Sequence, residues 1–383
     1  MKYVAFYFPQ FQQIPENDRW WGSGFTDWDL VRHARAHSSR QRQPRKPLGG
    51  NFYDLSDPDA VARQAELAER FGLYAFNFYH YWFDGRLMLG RPAEYFLQDK
   101  SHNLKFCFTW ANESWTRQWV GNPEILLRQS HRPDPKIWAK HFYYLVAYFS
   151  DHRYIRIDGR PVFFIYRPEL NPHLCRYVAF FNHLAVKEGL PGVYFIGLRS
   201  YPLAVEKKAT ACLDAHLRFQ PRYIMNSEGS NRGLLMGKLE CFLRSCPEAM
   251  QLPLALVKHR LSGAKAYDYD QFCQRIIELA ERDPEDHLQS IIVDWDNTAR
   301  YGDKSRFFTG VSPERFAHWL EQLTRVELSK GRDMIFINAW NEWSEGAYLE
   351  PDEVVGYRNL EVVRTMNQRY GGNACSGSRS DSG

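Results

Sequence analysis

Two glutamates near the C-terminus, Glu342 and Glu345, have the spacing that is best suited to catalysis in this sequence. They follow an apolar run, and a helical turn at that point would project both side chains to one side. Cleavage of a glycosidic bond needs two carboxyl groups in opposed roles, one a proton donor and the other a base or nucleophile. Repulsion between neighbouring carboxylates raises one pKa and suits that residue as the acid. Because Trp340, Asn341 and Trp343 flank the pair, we favour catalysis over a solvated helix face.

Aromatic and polar side chains also recur where other apolar runs end. The chain contains 12 Trp, 22 Tyr and 26 Phe. Aromatic faces cover the C–H faces of a sugar, while carboxylates and amides bind its hydroxyls, so the pattern predicts a carbohydrate site. The alternative for any single ring is packing between strands and helices. The predicted substrate-binding residues are Tyr7, Gln10, Trp28, His80, Tyr81, Trp82, Trp110, Asn112, Glu113, Trp115, Asp294, Trp295, Asn341 and Trp343.

Some of these residues have a second interpretation. Glu113 is a third candidate carboxylate or the ion-pair partner of Arg117, and His80 is a substrate contact or a satisfied barrel histidine. Asp294 and Asp296 could hold a cation, although two aspartates two positions apart on a strand often just share a face. No metalloprotease spacing of histidines and no serine-hydrolase elbow occurs. We therefore predict neither a metal nor a cofactor.

The elements that must position these residues alternate between strand and helix. A (β/α)8 TIM barrel is predicted, with an insertion after strand six. A doubly wound open sheet is the alternative, but no glycine-rich phosphate loop follows any strand. Strands are predicted at 3–8, 73–79, 104–110, 161–166, 193–198, 214–219, 290–295 and 333–340. Helices are predicted at 57–71, 136–149, 173–188, 313–330 and 357–369.

Chain length, net charge and hydropathy limit the domain organisation and the classes of partner. The 383 residues suit one barrel domain at 1–370, with an insertion or lid at 222–266 and a disordered tail at 371–383. A net charge of +4 is too small to indicate nucleic-acid binding. The sequence contains no apolar run long enough to span a membrane.

The seven cysteines are scattered and form no C-x-x-C pair. We interpret them as reduced thiols in a cytoplasmic protein. The N-terminal residues begin directly as a strand and show no signal-peptide pattern.

Together, eight motifs resemble the WbsX-type proteins, which are glycosyltransferase-like proteins of bacterial polysaccharide loci related to glycoside hydrolase family 99, the endo-α-mannosidases. The resemblance spans roughly residues 2–360 and implies a (β/α)8 barrel. The motifs lie at residues 7–11, 14–18, 20–22, 24–28, 47–55, 78–83, 110–113 and 341–346.

The resemblance also implies roles for the two glutamates. The residue matching Glu342 would deprotonate the sugar 2-hydroxyl to form a 1,2-anhydro sugar, and the residue matching Glu345 would act as acid and then base. Two positions depart from the pattern: Ser344 stands where the mannosidases commonly have His, and Asp27 stands where many WbsX-type sequences have Glu.

The function predicted from the sequence is metal-independent, retaining hydrolysis of an α-linked bacterial polysaccharide or oligosaccharide through Glu342 and Glu345. Glycosyl transfer during surface-polysaccharide assembly is the first alternative. A non-catalytic carbohydrate-binding protein is the second.

Overall fold

Eight parallel strands form the centre of the protein. A computed structural model describes residues 1–117, 122, 124–201, 210–227, 263–284 and 286–371. The strands of the central sheet are β1 (Lys2–Tyr7), β2 (Ala75–Phe83), β3 (Lys105–Trp110), β4 (Arg160–Ile165), β5 (Tyr194–Arg199), β6 (Ala215–Arg218), β7 (His287–Ile292) and β8 (Met334–Asn338).

The sheet is a closed barrel because each strand pairs in parallel with the next and β8 pairs with β1. At the closure, Tyr7 lies opposite Phe78 and Ala5 lies opposite Ile337. The strands are buried on both faces, which explains why they read as nearly continuous apolar runs. The predicted (β/α)8 barrel is confirmed.

Helices cover the outside of the barrel. Four of them begin at side-chain caps: Asp57, Asp134, Asp268 and Ser312 each accept a hydrogen bond from a backbone N–H of the first turn. The larger helices are α1 (Pro58–Arg70), α2 (Arg91–Gln98), α3 (Pro135–Phe149), α4 (Leu174–Lys187), α5 (Tyr269–Arg282), α6 (Pro313–Ser329) and α7 (Arg358–Tyr370).

Shorter elements lie in the loops between strands and helices. Short helices span Pro15–Trp21, Asp27–His33, Arg222–Ser227 and Thr298–Tyr301, and 3-10 turns span Leu48–Gly50, Pro168–Leu170, Gly302–Lys304 and Trp343–Glu345. Paired short strands are Trp115–Thr116 with Ile125–Leu127, Lys265–Asp268 with Arg306–Thr309, and Asn341–Glu342 with Ala347–Tyr348. Arg86–Met88 pairs with β2, and Arg156–Ile157 pairs with β4.

Most of the predicted elements occur within a few residues of their predicted bounds. β2 is longer than predicted because its end forms a hairpin with Arg86–Met88. β7 begins and ends three residues earlier than the predicted strand at 290–295. The predicted insertion lies largely outside the described residues, as does all of the predicted tail except residue 371.

The interpretation of all cysteines as reduced thiols is wrong for one pair. Cys175, at the start of α4, forms a disulfide with Cys212, which lies just before β6. The two are 37 residues apart in sequence, and the fold brings their Cα atoms to 5.4 Å, a distance that suits a disulfide. Cys107 and Cys273 are buried free thiols. Within the described residues, we find no helix with both the length and the apolar character needed to cross a bilayer.

Candidate active site

The segment after β8 carries both predicted catalytic glutamates. Glu342 ends the short strand Asn341–Glu342, and Glu345 ends the 3-10 turn Trp343–Glu345. Asn341 fixes this segment to the end of β1, because its side chain accepts from the Phe8 N–H at 2.7 Å and donates to the Phe8 carbonyl at 3.0 Å. The turn therefore presents both carboxyl groups at the carboxyl end of the barrel, where active sites of this fold lie.

One buried guanidinium connects these two carboxyl groups. Arg300 Nη1 donates to Glu345 Oε1 at 2.9 Å, and its Nη2 donates to Glu342 Oε1 at 3.1 Å. The same Nη2 donates to Asp27 Oδ2 at 2.9 Å. Asp27, Glu342 and Glu345 are 3–6% exposed, so the ion pairs are shielded from solvent. We call these four residues the Arg300 cluster.

Ser344 adds a hydrogen-bonded link within the cluster. Its Oγ lies 2.6 Å from Asp27 Oδ2 and 3.0 Å from Glu342 Oε1. A hydroxyl has a single proton, so it can donate to only one of these carboxyl groups. A proton on Glu342 would complete the chain, with Glu342 donating to Ser344 and Ser344 donating to Asp27.

The electrostatics of Glu342 agree with that arrangement. Burial, together with the charges of Glu345 and Asp27, raises the pKa of Glu342 to about 8, against the opposing effects of Arg300 and the Ser344 hydrogen bond. The direction of this shift favours a protonated Glu342 in the free protein, as that arrangement requires.

Gly346 allows this turn to form. Its φ is +66°, a left-handed conformation that favours glycine. A Cβ at this position would lie 2.8 Å from the backbone nitrogen of Asp296, which itself donates to the Glu345 carbonyl at 2.7 Å. The glycine therefore lets the loop after β7, which carries Arg300, pack against the turn that carries Glu345.

A cavity of about 320 Å³ opens above the Arg300 cluster. Six of the predicted site residues line it: Gln10, Tyr81, Glu113, Trp115, Glu342 and Glu345. Glu113 pairs with Arg167 at 3.5 Å, whereas Arg117, the partner considered from the sequence, pairs with Glu124 at 3.1 Å.

Other predicted contacts lie in the barrel core instead and do not line this cavity. Tyr7 is fully buried and donates to Gln64 at 2.5 Å. Trp28 packs on Phe11 with ring centroids 4.2 Å apart.

Three further rings lie between the barrel and α3. His80, Trp82 and Trp110 surround His141: the His80 Nε2 is 2.9 Å from the His141 Nε2, and Trp82 stacks on His141 at 4.7 Å. Burial lowers the pKa of His80 to about 3, so it is neutral. Successive side chains of a strand point to opposite faces, so Tyr81 enters the cavity whereas His80 and Trp82 point away from it.

Three more predicted contacts support the loops. Asn112 connects β3 to β4, because its side chain accepts from the Arg167 N–H at 2.7 Å and donates to the Arg167 carbonyl at 2.8 Å. Asn341 makes the equivalent connection to Phe8. Trp343 belongs to the turn Trp343–Glu345, and its ring stacks on Tyr348 at 3.8 Å, so its side chain is not exposed to the cavity.

The remaining predicted contacts follow β7. Asp294 pairs with Arg45 at 2.9 Å and Arg42 at 3.1 Å, and Trp295 is 3% exposed. Neither lines the cavity. Since Arg45 also lies 4.0 Å from Asp296, the two aspartates have a cationic side chain between them rather than an arrangement suited to a metal ion.

Among the residues that the structure describes, one other group has the spacing of metal ligands. It consists of His216, Asp286 and His287, near the start of β6 and β7 and thus at the opposite end of the barrel. His287 Nε2 lies 2.8 Å from the Arg199 guanidinium, a cation that would oppose metal binding. We assign no metal to this group.

Sequence reasoning did not identify the basic residues of the cavity. Arg300 lies in the helix Thr298–Tyr301 after the polar end of β7, and Arg222 was assigned to the insertion. Asp27 was noted only as a departure from a motif. Their positions just after strand ends were the available signal. Further cavity residues outside the prediction are Asn17, Trp20, Trp21, Tyr79, Tyr166, Arg167, Tyr201 and Tyr301.

The fold and the site thus describe a (β/α)8 barrel with a buried carboxyl pair at its carboxyl end. The family described as Glycosyltransferase WbsX matches residues 3–363. The chain belongs to the WbsX family, and the predicted resemblance is confirmed.

Curated relatives include the uncharacterized protein WxcX from two strains of Xanthomonas campestris pv. campestris. Each is 33% identical over 367 residues, which cover 94% of this chain and 49% of the relative. This chain therefore spans about half the length of the curated relatives it matches.

Solved structures with the same fold include the GH99 endo-alpha-mannosidase from Bacteroides thetaiotaomicron, at a TM-score of 0.54 and 15% identity over 96% of this chain and 97% of that one. A second, described as a glycoside hydrolase-like protein, has a TM-score of 0.55 and 12% identity over 96% and 93% of the two chains. At these identities the similarity is one of fold.

Substitution of Gly346 tests the packing of the turn that carries Glu345. Gly346→Ala should lower kcat/KM at least about 100-fold, because the new Cβ displaces Glu345 from Arg300. Gly331→Ala is the matched control, since Gly331 has a similar φ of +71° but open space around the added Cβ. It should cost about 1 kcal/mol of stability with little change in rate. Equal effects of both substitutions on kcat/KM would show that Gly346 has no special role.

Proposed function

We propose that this protein hydrolyses an α-linked oligosaccharide or polysaccharide of bacterial origin through Glu342 and Glu345. The observation that carries the proposal is the Arg300 cluster. Two buried carboxyl groups on one turn contact the same guanidinium and open into one cavity. Their environments differ, because Glu342 also contacts Ser344 near Asp27. Different environments for two carboxyl groups are what acid and base roles require.

The proposed reaction follows from these positions and from the family resemblance. The reaction starts from the form of the site in which Glu342 is ionised and Glu345 holds a proton. Glu342 removes the proton of the sugar 2-hydroxyl, and that oxygen attacks C1 as the glycosidic C–O bond breaks. Glu345 protonates the departing oxygen. Glu345 then takes a proton from water, which attacks C1 and opens the 1,2-anhydro ring, while Glu342 returns its proton to O2. The configuration at C1 is retained, and both glutamates regain their starting states.

The elevated pKa of Glu342 suits the base role. A sugar hydroxyl is a weak acid, so a carboxylate of raised proton affinity removes its proton more readily than an ordinary glutamate. Arg300 would keep both carboxyl groups at fixed positions while a proton moves. Arg300 and Asp27 are positioning residues in this scheme.

The walls of the cavity support a sugar ligand. Trp20, Trp21, Tyr81 and Trp115 line it and offer ring faces and edges to a pyranose. Polar groups also line it, including Tyr166 and Arg222. A mixture of aromatic surface and a few convergent polar groups is typical of ligand sites.

Glycosyl transfer is the second candidate function, because the family is described as a glycosyltransferase. The same two glutamates could pass the sugar to an acceptor hydroxyl instead of water. The Asp294–Asp296 pair, which matches the metal-binding D-x-D pattern of many nucleotide-sugar transferases, contacts arginines and lies outside the cavity lining. That observation favours hydrolysis as the first candidate.

Hydrolysis and glycosyl transfer differ in the sugar donor and the cation that they require. We expect the protein to release reducing sugar from a matching α-linked glycan in the presence of a chelator and without any nucleotide sugar. Glu342→Gln should reduce this release at least about 100-fold, whereas Glu353→Gln, a substitution of an exposed glutamate on the following loop, should not. A strict requirement for a nucleotide sugar and a divalent cation would favour transfer instead.

The pH dependence tests the role of Glu342. A base must be ionised, so kcat/KM should rise about tenfold per pH unit below the pKa of Glu342 and stop rising at about pH 8. Asp27→Asn removes a neighbouring negative charge that raises this pKa, so the rise should shift to lower pH. Asp59→Asn on the exposed surface of α1 is the control and should leave the midpoint in place. A kcat/KM with no rising limb, which only falls as the pH increases through the pKa of Glu342, would make Glu342 the acid.

A further inference from the structure

The arginines of the cavity differ in how fully their charge is matched. Arg300 contacts three carboxyl groups. Arg167 contacts Glu169 and, at 3.5 Å, Glu113. Arg222 has a single carboxylate contact among the described residues, to Glu345 Oε1 at 3.4 Å.

The contact of Arg222 is also shared. The same Glu345 oxygen accepts a shorter hydrogen bond from Arg300 at 2.9 Å. Glu113, whose charge also favours ionised Arg222, lies in contact with Arg167. Arg222 therefore depends on a carboxylate oxygen that is already bound to another guanidinium.

Arg222 is the most accessible of the three arginines. Its side chain is 37% exposed, compared with 17% for Arg300 and 10% for Arg167. It lines the cavity just after β6. A guanidinium has five N–H donors in a planar fork that matches a carboxylate or a phosphate.

In the proposed reaction, Arg222 loses its one ionised carboxylate partner, Glu345. When Glu345 holds the proton that it delivers to the leaving oxygen, it is neutral and no longer an anionic partner. Arg222 then faces the substrate as a partly buried cation with no ionised carboxylate in ion-pair contact among the described residues. Leaving such a charge unmatched is costly, so an anion supplied by the substrate would be strongly favoured.

The neighbours of Arg222 suit an anionic ligand. Tyr166 and Tyr301 line the same part of the cavity, and burial raises the pKa of both, so they remain neutral phenols. A neutral phenol can donate a hydrogen bond to an anion, whereas a phenolate would repel it.

We propose that Arg222 recognises an anionic substituent on the sugar chain, a carboxylate or a phosphate, next to the bond that is cleaved. This inference rests on the proposed hydrolase function and assigns its substrate class: an acidic glycan rather than a neutral one. The tryptophans of the cavity would take an uncharged sugar face, and Arg222 would take the acidic residue.

Three oligosaccharides of the same sugars and linkages test the proposal: a neutral one, one with a 6-carboxylate and one with a 6-phosphate on the residue beside the cleaved bond. The wild type should cleave at least one acidic form with kcat/KM at least about tenfold above the neutral form. The form that gains identifies the anion as a uronate or a phosphate.

Variants separate this site from a general charge effect. Arg222→Gln should bring the ratio of acidic to neutral kcat/KM close to one, and Arg222→Lys should retain part of the preference. Arg282→Gln, at the exposed end of α5, should leave the ratio unchanged. Equal cleavage of neutral and acidic forms by the wild type would overturn this inference but not the hydrolase function. Absence of cleavage of all three oligosaccharides, and of α-linked glycans generally, would overturn both.

Discussion

The ion pairs of one buried arginine hold the functional end of this barrel together. Arg300 comes from the loop after β7, its partners Glu342 and Glu345 come from the loop after β8, and Asp27 comes from the loop after β1. Without the guanidinium, three buried carboxyl groups would face one another with no central counter-charge. Breaking a buried ion pair by removing one partner costs about 3–5 kcal/mol. The same contacts that stabilise these loops also fix the positions of the two glutamates proposed to act on the sugar.

The strand ends are connected in a related way. Asn341 joins the end of β8 to Phe8 after β1, and Asn112 joins the end of β3 to Arg167 after β4, each through a donor and an acceptor on the same side chain. Each asparagine side chain accepts from the N–H and donates to the C=O of one residue. These two hydrogen bonds take the place of those that a paired strand would make with that residue. From the sequence, these asparagines are predicted to bind sugar because they stand beside the candidate catalytic glutamates and aromatic residues.

The barrel was predictable because its strands are apolar runs and its helices begin and end at caps that the sequence shows. The pair Glu342 and Glu345 was predictable because it follows the last strand. The other site residues could be predicted only with knowledge of the direction in which each side chain points. In β2, successive side chains alternate between the two faces, so Tyr81 points into the cavity whereas His80 and Trp82 point away from it. An error of one position in the strand would exchange the residues assigned to the cavity. Arg222 and Arg300 could not be selected from sequence, because only the meeting of separate loops distinguishes them from other arginines.

The roles of the two glutamates can be separated most directly by the leaving group of the substrate. An acid that protonates the departing oxygen is unnecessary when the leaving group is a stable anion such as nitrophenolate or fluoride. We expect Glu345→Gln to lose at least about 100-fold in rate on a natural glycoside and to recover part of it on an activated glycoside, since Glu345 also activates water in the second step. Glu342→Gln should be slow on both, because the 2-hydroxyl keeps its proton in either case. If Glu345→Gln loses the same factor on both substrates, or if the activated glycoside rescues Glu342→Gln instead, the assignment of these two residues is wrong.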